Sequence, residues 1–270
     1  MDWSKSKSIF IFVFLILNVF LYTQYLGVYT QGQQVGVLGE KTIEAELKDD
    51  NITYIELPNT IKSVSYISGK VRRFNETDFP ENNIMDIEIE DHHLIKATFK
   101  VPIELPNTQN QALVDFMNYY VDEGDRYVLW EVNEESKYAL FFQQINDRTL
   151  YYNVSGFVKI YWNEDEEVYK YEQTMLEKIE ELEQEEIAFS PIQVIRALYL
   201  KNLLSSNSHV TSMSLGYSTL VQLTQTQVFA PTWEVRVRTE DGENEEYFVN
   251  AVEGKVIDIQ LSSMEKEEEE

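Results

Sequence analysis

The chain has 270 residues and carries 47 Asp and Glu against 22 Lys and Arg, a formal charge of −25 at pH 7. This charge repels polyanions and so argues against nucleic acids and anionic lipid headgroups as partners. Hydrophobic residues make up 43% of the chain and aromatic residues 13%, enough to build a folded core. Cysteine is absent, which excludes disulfides, thiol nucleophiles and cysteine-ligated zinc.

An apolar segment without charged residues runs from Ile9 to Leu26. Its length of about 18 residues is close to what crosses the hydrocarbon core of a bilayer. A cleaved signal peptide is the alternative, but no small-x-small cleavage site follows. Lys5 and Lys7 precede the segment, as the positive-inside rule requires of a cytoplasmic N-terminus. We predict a cytoplasmic N-terminus at 1–8, a single transmembrane helix at 9–26 and an extracytoplasmic remainder.

Asn18 is a strongly polar side chain in the middle of this segment. In lipid its amide can hydrogen-bond across a helix pair for about 1 kcal/mol, or it can bond to its own backbone. Both alternatives stay open. We name Asn18, with Phe14 and Leu21, as candidate contacts to a partner helix.

The ends of the remaining chain have the composition of segments outside a fold. Residues 27–42 hold four of the ten glycines, which is typical of a flexible linker. Residues 263–270 end in the run EKEEEE, and such a charge block predicts an acidic tail.

Two capping boxes mark helix starts. Thr108 is followed three residues later by Gln111, and Ser190 by Gln193; each pair precedes an apolar run with helical spacing. These patterns predict helices at 108–121 and 190–205.

Strand patterns follow each helix and also precede the first. After the first helix the predicted strands are Tyr127–Val132, Tyr138–Ile145, Phe157–Trp162 and Val168–Thr174. After the second they are Val210–Tyr217, Val228–Val237, Tyr247–Ala251 and Lys255–Leu261. Upstream are Ser63–Ile67, Val71–Phe74, Ile84–Ile89 and Leu94–Val101, with a tight turn at Ser68-Gly69. We expect the upstream strands to complete the first unit's sheet.

These elements predict an α+β fold of two tandem units, each an antiparallel sheet with a packed helix. The membrane-proximal unit spans 43–175 and the membrane-distal unit 190–262. Between them, Leu176, Ile179 and Leu182 recur every three residues in an acidic segment, which favours a helix as the connector at 176–189.

The sequence shows no motif for catalysis or cofactor binding. Gly-x-Ser-x-Gly elbows and phosphate-binding glycine loops are missing. Two acidic loops, at 122–125 and 241–244, lack the EF-hand ligand pattern, and we interpret them as solvated turns. We therefore predict no catalytic residue, no cofactor and no metal site. Asn51, Asn75 and Asn153 fit the glycosylation acceptor triplet.

Aromatic residues are dense in the last strands of the first unit. Tyr161, Trp162, Tyr169 and Tyr171 fall within about ten residues, and exposed aromatics of this kind anchor protein interfaces. The alternative is packing in the core and in cross-strand pairs. We name these four residues as candidate partner contacts.

Both ends of the chain resemble a known family. The opening Met1-Asp2-Trp3-Ser4-Lys5, joined directly to the apolar segment, looks like the start of the YycI (WalI) family. Ala230-Pro231-Thr232-Trp233, followed by Tyr247-Phe248-Val249 and Gly254-Lys255-Val256-Ile257, resembles that family's last strands and a PepSY-like pattern. The layout agrees over essentially the whole chain.

The resemblance implies a membrane-anchored, non-enzymatic regulator with a two-part, YycH-like ectodomain. Members of the family regulate the cell-wall sensor histidine kinase YycG (WalK) of low-GC Gram-positive bacteria together with the sister protein YycH (WalH). The alternative function is an extracytoplasmic binding module for a cell-wall polymer or a cation.

Overall fold

The computed structural model describes residue 7 and residues 10–23, 43–79, 83–105, 110–222 and 225–258. The chain divides into two compact units, Met1–Glu46 and Leu47–Glu270. Residues 10–23 of the first unit form a helix, α1. Among the described residues, no helix combines the length and apolar character that a membrane crossing requires.

Several predicted features lie outside the described residues. They are Ile9 and positions 24–26 of the predicted span, the linker up to position 42, the Thr108 capping box and the acidic tail at 263–270.

Three further α-helices and fourteen strands follow in the described chain. The helices are α2 (Ile43–Asp49), α3 (Asn110–Tyr120) and α4 (Pro191–Leu200). The first seven strands are β1 (Thr53–Tyr54), β2 (Ser63–Val71), β3 (Met85–Glu90), β4 (Leu94–Glu104), β5 (Tyr127–Asn133), β6 (Tyr138–Ile145) and β7 (Arg148–Tyr151). The others are β8 (Phe157–Trp162), β9 (Glu167–Gln173), β10 (Leu176–Ile187), β11 (His209–Gln222), β12 (Thr226–Arg238), β13 (Asn244–Asn250) and β14 (Val256–Ile257).

The strands hydrogen-bond into a 14-stranded, mostly antiparallel network. Its main path runs β10-β2-β12-β11-β7-β6-β8-β9-β4-β3, with β1 on β11, β5 on β6, and β13 between β12 and β14. Within the described chain, β11 makes the parallel pairs, with β1 and β7. The predicted class, α+β with antiparallel sheet, is confirmed. Two predicted strands, Tyr138–Ile145 and Phe157–Trp162, have the observed bounds.

The helix predicted for the segment after residue 175 is wrong. The segment forms β10, which pairs antiparallel with β2. The pairing is interrupted between Glu177 and Glu180 by a bulge, and an extra residue in a strand reverses the alternation of its side chains. Leu176 and Ile179 therefore face the same core cluster although they are three residues apart. The same spacing is typical of one face of a helix, which explains the wrong prediction.

The predicted turn at Ser68-Gly69 is also wrong, because both residues lie inside β2. A Cβ atom at Gly69 would lie 2.8 Å from Cδ1 of Ile179 and 3.4 Å from the Phe229 ring. The glycine thus permits close packing between side chains of β10 and β12 rather than a change of direction.

The upstream strands divide between two parts of the sheet. β3 and β4 pair with each other, and β4 pairs with β9, as expected for the first unit. β2 instead pairs with β10 and β12, so the expectation is wrong for this strand. The division into units at 43–175 and 190–262 stays a prediction.

Two buried clusters make up much of the core. Leu113, Phe116 and Met117 on the apolar face of α3 join residues of β4, β6, β8 and β9 in the larger cluster. The smaller cluster contains Ile67, Ile145, Leu150, Leu176, Tyr217 and Phe229. Since the chain has no disulfide, such packing supplies its stability.

Helix α4 begins where its capping box predicts. The Ser190 backbone N–H donates to Oε1 of Gln193 at 2.8 Å, and Pro191 occupies the first turn. Ile195 and Leu198 are fully buried, as predicted. Tyr199 is half-buried and donates from its hydroxyl to Oδ2 of Asp50 at 2.7 Å.

Replacing Leu198 by Ala should lower the free energy of unfolding by about 2–4 kcal/mol, because it removes buried methyl groups and leaves a cavity. Urea denaturation of the full-length chain measures this. The matched control is Leu200→Ala on the same helix, where the side chain is 62% exposed and the expected loss is below about 0.5 kcal/mol. Equal losses for both variants would contradict the burial of Leu198.

Candidate partner-binding surface

The three predicted contacts in the apolar segment lie on one face of α1. Successive residues of an α-helix turn by about 100°, so Phe14, Asn18 and Leu21 fall within an arc of about 60°. The Phe14 and Leu21 side chains are 65% and 53% exposed in this unit. The geometry therefore brings the three residues together as a single exposed stripe with an amide at its middle.

The four aromatic residues predicted to contact a partner separate into two pairs. Trp162 and Tyr171 are each 2% exposed and belong to the larger core cluster, which places both inside the fold. Tyr161 is half-buried and Tyr169 is 40% exposed. Only Tyr161 and Tyr169 therefore remain as surface candidates.

A bulge decides which of these tyrosines is exposed. In the β8–β9 register Tyr161 faces Lys170, but the next residue, Trp162, faces Val168. Tyr169 is thus the extra residue of β9, and the alternation of side chains reverses there. Without the bulge, Tyr169 and Tyr171 would lie on the same face of the strand.

Tyr161 belongs to a row of alternating aromatic and basic side chains that crosses β6, β8 and β9. We call this row the Tyr–Lys ladder; its members are Tyr138, Lys159, Tyr161 and Lys170. Tyr138 pairs across strands with Tyr161, and Tyr161 with Lys170. The row lies on the face opposite Val158 and Ile160, which are buried.

Short-range contacts hold the ladder in place. Nζ of Lys159 lies 4.4 Å from the Tyr138 ring centroid and 5.1 Å from that of Tyr161, and Nζ of Lys170 lies 4.8 Å from Tyr161. Each is a cation–π contact. The Tyr161 hydroxyl donates to Oε2 of Glu172 at 2.9 Å, and Lys170 pairs with the same carboxylate at 2.6 Å. The ladder side chains are therefore held in place in the unbound chain.

Such a surface suits protein recognition. Tyrosines that are fixed in advance lose little side-chain entropy on binding, and Tyr is enriched among the residues that dominate interfaces. Tyr169, whose ring centroid lies 6.5 Å from that of Tyr161, extends the aromatic area. The sequence analysis did not predict Tyr138, Lys159 or Lys170 as part of this surface. Lys159 and Tyr161 are two residues apart in a predicted strand, however, and this spacing indicates that they lie on the same face.

A second cluster, missed by sequence reasoning, connects β5 and the turn after β7 with β12 and β13. The Trp130 indole donates to the Tyr152 hydroxyl at 3.0 Å, and that hydroxyl donates to Oε2 of Glu246 at 2.9 Å. Nε of Arg236 lies 2.6 Å from Glu234 and 3.2 Å from Glu246, and its guanidinium stacks 4.5 Å from the Trp130 ring centroid. We call these five residues the Trp130 cluster.

The cluster contains two carboxylates, Glu234 and Glu246, which share the single guanidinium of Arg236. Burial raises the pKa of Glu234, although Arg236 acts in the opposite direction. Burial also raises the pKa of Glu246, with the nearby Glu234 charge adding to the effect. Both changes follow from the cost of charge in a poorly solvated site. No sequence pattern indicates the cluster, because its members come from four separate segments.

The acidic loop at 122–125 forms ion pairs with two arginines. The Arg72 guanidinium lies 3.1 Å from Asp122 and 2.7 Å from Glu123, and Arg126 lies 2.8 Å from Glu123. In the part of the chain that the structure describes, no group of three or more His, Asp or Glu side chains is placed to hold a metal ion.

One of the three glycosylation triplets is inaccessible in the folded chain. Asn153 is 2% exposed, and its amide donates to Thr219 at 2.8 Å and to Gln227 at 2.7 Å.

Comparison with known proteins gives a family match and several distant structural similarities. The family described as YycI protein matches residues 32–252. No curated protein matches the chain. An uncharacterized protein from Eubacterium rectale is similar at 11% identity and a TM-score of 0.44, over 78% of this chain and 92% of that chain. The Bacillus megaterium YpeB C-terminal domain is similar at 16% identity and a TM-score of 0.41, over 75% of this chain and 88% of that chain.

The Trp130 cluster should make stability depend on pH. Because the pKa values of Glu234 and Glu246 are raised from 4.5, the folded chain binds more protons than the unfolded chain above that pH. The contribution of these two carboxyls to stability should therefore fall as the pH rises from about 4.5 through their folded pKa values. Glu246→Gln should remove part of this loss, so its free energy of unfolding relative to wild type should increase as the pH rises above about 4.5.

The control is Glu243→Gln, a change of equal charge at an exposed position just before β13. This comparison separates the loss of one negative charge from the loss of the buried contacts of Glu246. Parallel curves for the wild type and Glu246→Gln would show that this carboxyl does not titrate differently on folding.

Proposed function

The chain belongs to the YycI family, and from this premise we propose that it is a membrane-anchored, non-enzymatic regulator that binds a WalK-type (YycG) sensor histidine kinase. A sister regulator of the YycH (WalH) type acts with it. The observation that carries the proposal is the family match over residues 32–252. Membership supports a regulatory role in the WalK two-component system; the partners and the mode of contact are the proposal.

The chain acts in this proposal by binding one conformation of the kinase better than another. A regulator shifts a two-state equilibrium only by its difference in affinity for the two states. The Tyr–Lys ladder supports this role because its side chains are ordered in advance by cation–π contacts and by Glu172. The ladder, together with Tyr169, is the proposed ectodomain contact.

The apolar segment at 9–26 is the proposed anchor, with its N-terminus in the cytoplasm. Lys5 and Lys7 on its N-terminal side support this orientation. The stripe of Phe14, Asn18 and Leu21 on α1 is the proposed contact to a partner helix. In lipid there is little hydrophobic drive between helices, so packing shape and hydrogen bonds decide their association.

Removing the aromatic contacts of the ectodomain should weaken the complex. We expect Tyr161→Ala combined with Tyr169→Ala to reduce the amount of kinase and sister regulator crosslinked to the chain in native membranes, because buried aromatic anchors dominate binding energy. The readout is the quantity of each partner recovered with the full-length chain after crosslinking.

The matched control is Tyr119→Ala, which removes a tyrosine that is 78% exposed on α3, a helix that packs on the face of the sheet opposite the ladder. Recovery with this variant should equal that of wild type. If the double variant keeps wild-type recovery while folding normally, the ladder is not the contact.

The anchor contact is tested separately. Asn18→Leu should lower co-purification of the partners only partly, since an interhelical hydrogen bond in lipid contributes about 0.6–2 kcal/mol. Exchange of the whole segment 9–26 for an unrelated membrane helix should lower it further. Full complex formation and full regulation with the exchanged segment would show that the anchor only tethers.

A further inference from the structure

A polar cleft opens between β2, β10, the β3–β4 turn and the loop after β7. Its volume is about 850 Å³, within the usual range of ligand sites. It lies apart from both the Tyr–Lys ladder and the Trp130 cluster, because none of their residues lines it. Its lining is made by Lys70, Val71, Arg73, Asp91, His93, Val154, Ser155, Glu177, Lys178, Gln225 and Gln227.

The cleft is locally basic on a strongly acidic protein. Lys70, Arg73 and Lys178 give three positive charges against the two carboxylates of Asp91 and Glu177, whereas the whole chain carries −25. Lys178 lies 3.4 Å from Glu177. Within the described residues, neither Lys70 nor Arg73 forms an ion pair, so both can pair with a ligand. At physiological salt, charges beyond about 8 Å are largely screened, and the local balance therefore decides what binds.

The floor of the cleft is polar and fixed. Ser155 and Gln227 are 6% and 1% exposed. The Asn153 amide donates to Oε1 of Gln227 at 2.7 Å, and the Gln227 amide donates to the Ser155 hydroxyl oxygen at 3.0 Å. Because Ser155 accepts in this bond, its own O–H hydrogen remains to donate to a ligand oxygen.

The rim contains a strained residue. Lys178 has a φ of +51°, a left-handed conformation that is uncommon for a residue with a side chain. It lies in the bulge of β10 between Glu177 and Glu180. Bulges of this kind redirect side chains next to functional sites, and this one places the lysine at the cleft.

We propose that this cleft binds a short acidic peptide segment, one carboxylate of which pairs with Lys70 and Arg73. Arg suits a carboxylate because its planar guanidinium offers paired donors. Asp91 and Glu177 can accept from peptide N–H groups, and Ser155 and Gln225 can donate to peptide carbonyls. The same two carboxylates repel a uniform polyanion, which favours a peptide over a polymer of phosphates. The site is independent of the function proposed above.

Binding is measured on the full-length chain by fluorescence polarisation of a labelled peptide, acetyl-GDGEG-amide. We expect binding that weakens with salt, and a loss of about tenfold or more for Lys70→Gln combined with Arg73→Gln. The matched control, Lys201→Gln with Arg238→Gln, removes two exposed charges outside the cleft and should keep wild-type affinity. Glu177→Gln keeps an oxygen that can accept from the peptide but removes a negative charge, so it should tighten binding of the acidic peptide, which a merely damaged fold would not do.

Four results would overturn the proposal. The first is no binding of the acidic peptide up to about 1 mM, an affinity too weak for a specific site. The second is equal binding of the neutral peptide acetyl-GNGQG-amide. The third is equal loss in the cleft and control variants. Competition by inorganic phosphate as strong as by the peptide would also overturn it, since that indicates a general anion site.

Discussion

The β11–β12 hairpin is the element to which the rest of the sheet attaches. β12 pairs with β2, β11 and β13, while β11 also pairs with β1 and β7. The pairing of β7 depends on Gly216, where a Cβ atom would lie 2.2 Å from the Thr149 carbonyl oxygen. Because no side chain fits there, only glycine lets the two backbones approach. This contact joins the strands around α3 to the hairpin, and the Trp130 cluster reinforces the junction.

The acidic residues of the chain have different environments at the surface and in the interior. β10 ends the main path of the sheet and carries six glutamates in twelve residues, and charges on an edge strand discourage pairing with other chains. Glu234 is instead 2% exposed and shares Arg236 with Glu246. Such buried carboxylates have raised pKa values and link stability to pH.

The two surfaces proposed for recognition differ in character. The Tyr–Lys ladder is a preordered aromatic face, suited to a folded partner. The cleft beside β2 and β10 offers mixed charges and polar groups on a fixed floor, suited to an extended segment. A bulge adds one side chain to each surface, Tyr169 of β9 beside the ladder and Lys178 of β10 at the cleft, because an extra residue reverses the alternation of side chains along a strand.

The sequence by itself determined the local elements. Ser190, Gln193 and Pro191 mark the start of α4, and runs of apolar and aromatic residues between polar turns mark β6 and β8, because capping and strand propensity depend on near neighbours. The acid excess and the lack of cysteine follow directly from composition. The family resemblance at the two ends of the chain agrees with the family match over 32–252.

Only the tertiary structure decided which strands pair and which aromatics are buried. The segment from Leu176 to Ile187 has a helical spacing but pairs with β2, over a hundred residues earlier in the chain. Trp162 and Tyr171 lie under α3 while Tyr161 and Tyr169 stay accessible. Strand pairing and bulge position are set by hydrogen bonds and packing between segments that are distant in the chain. The sequence pattern of one strand therefore does not predict which strand it pairs with.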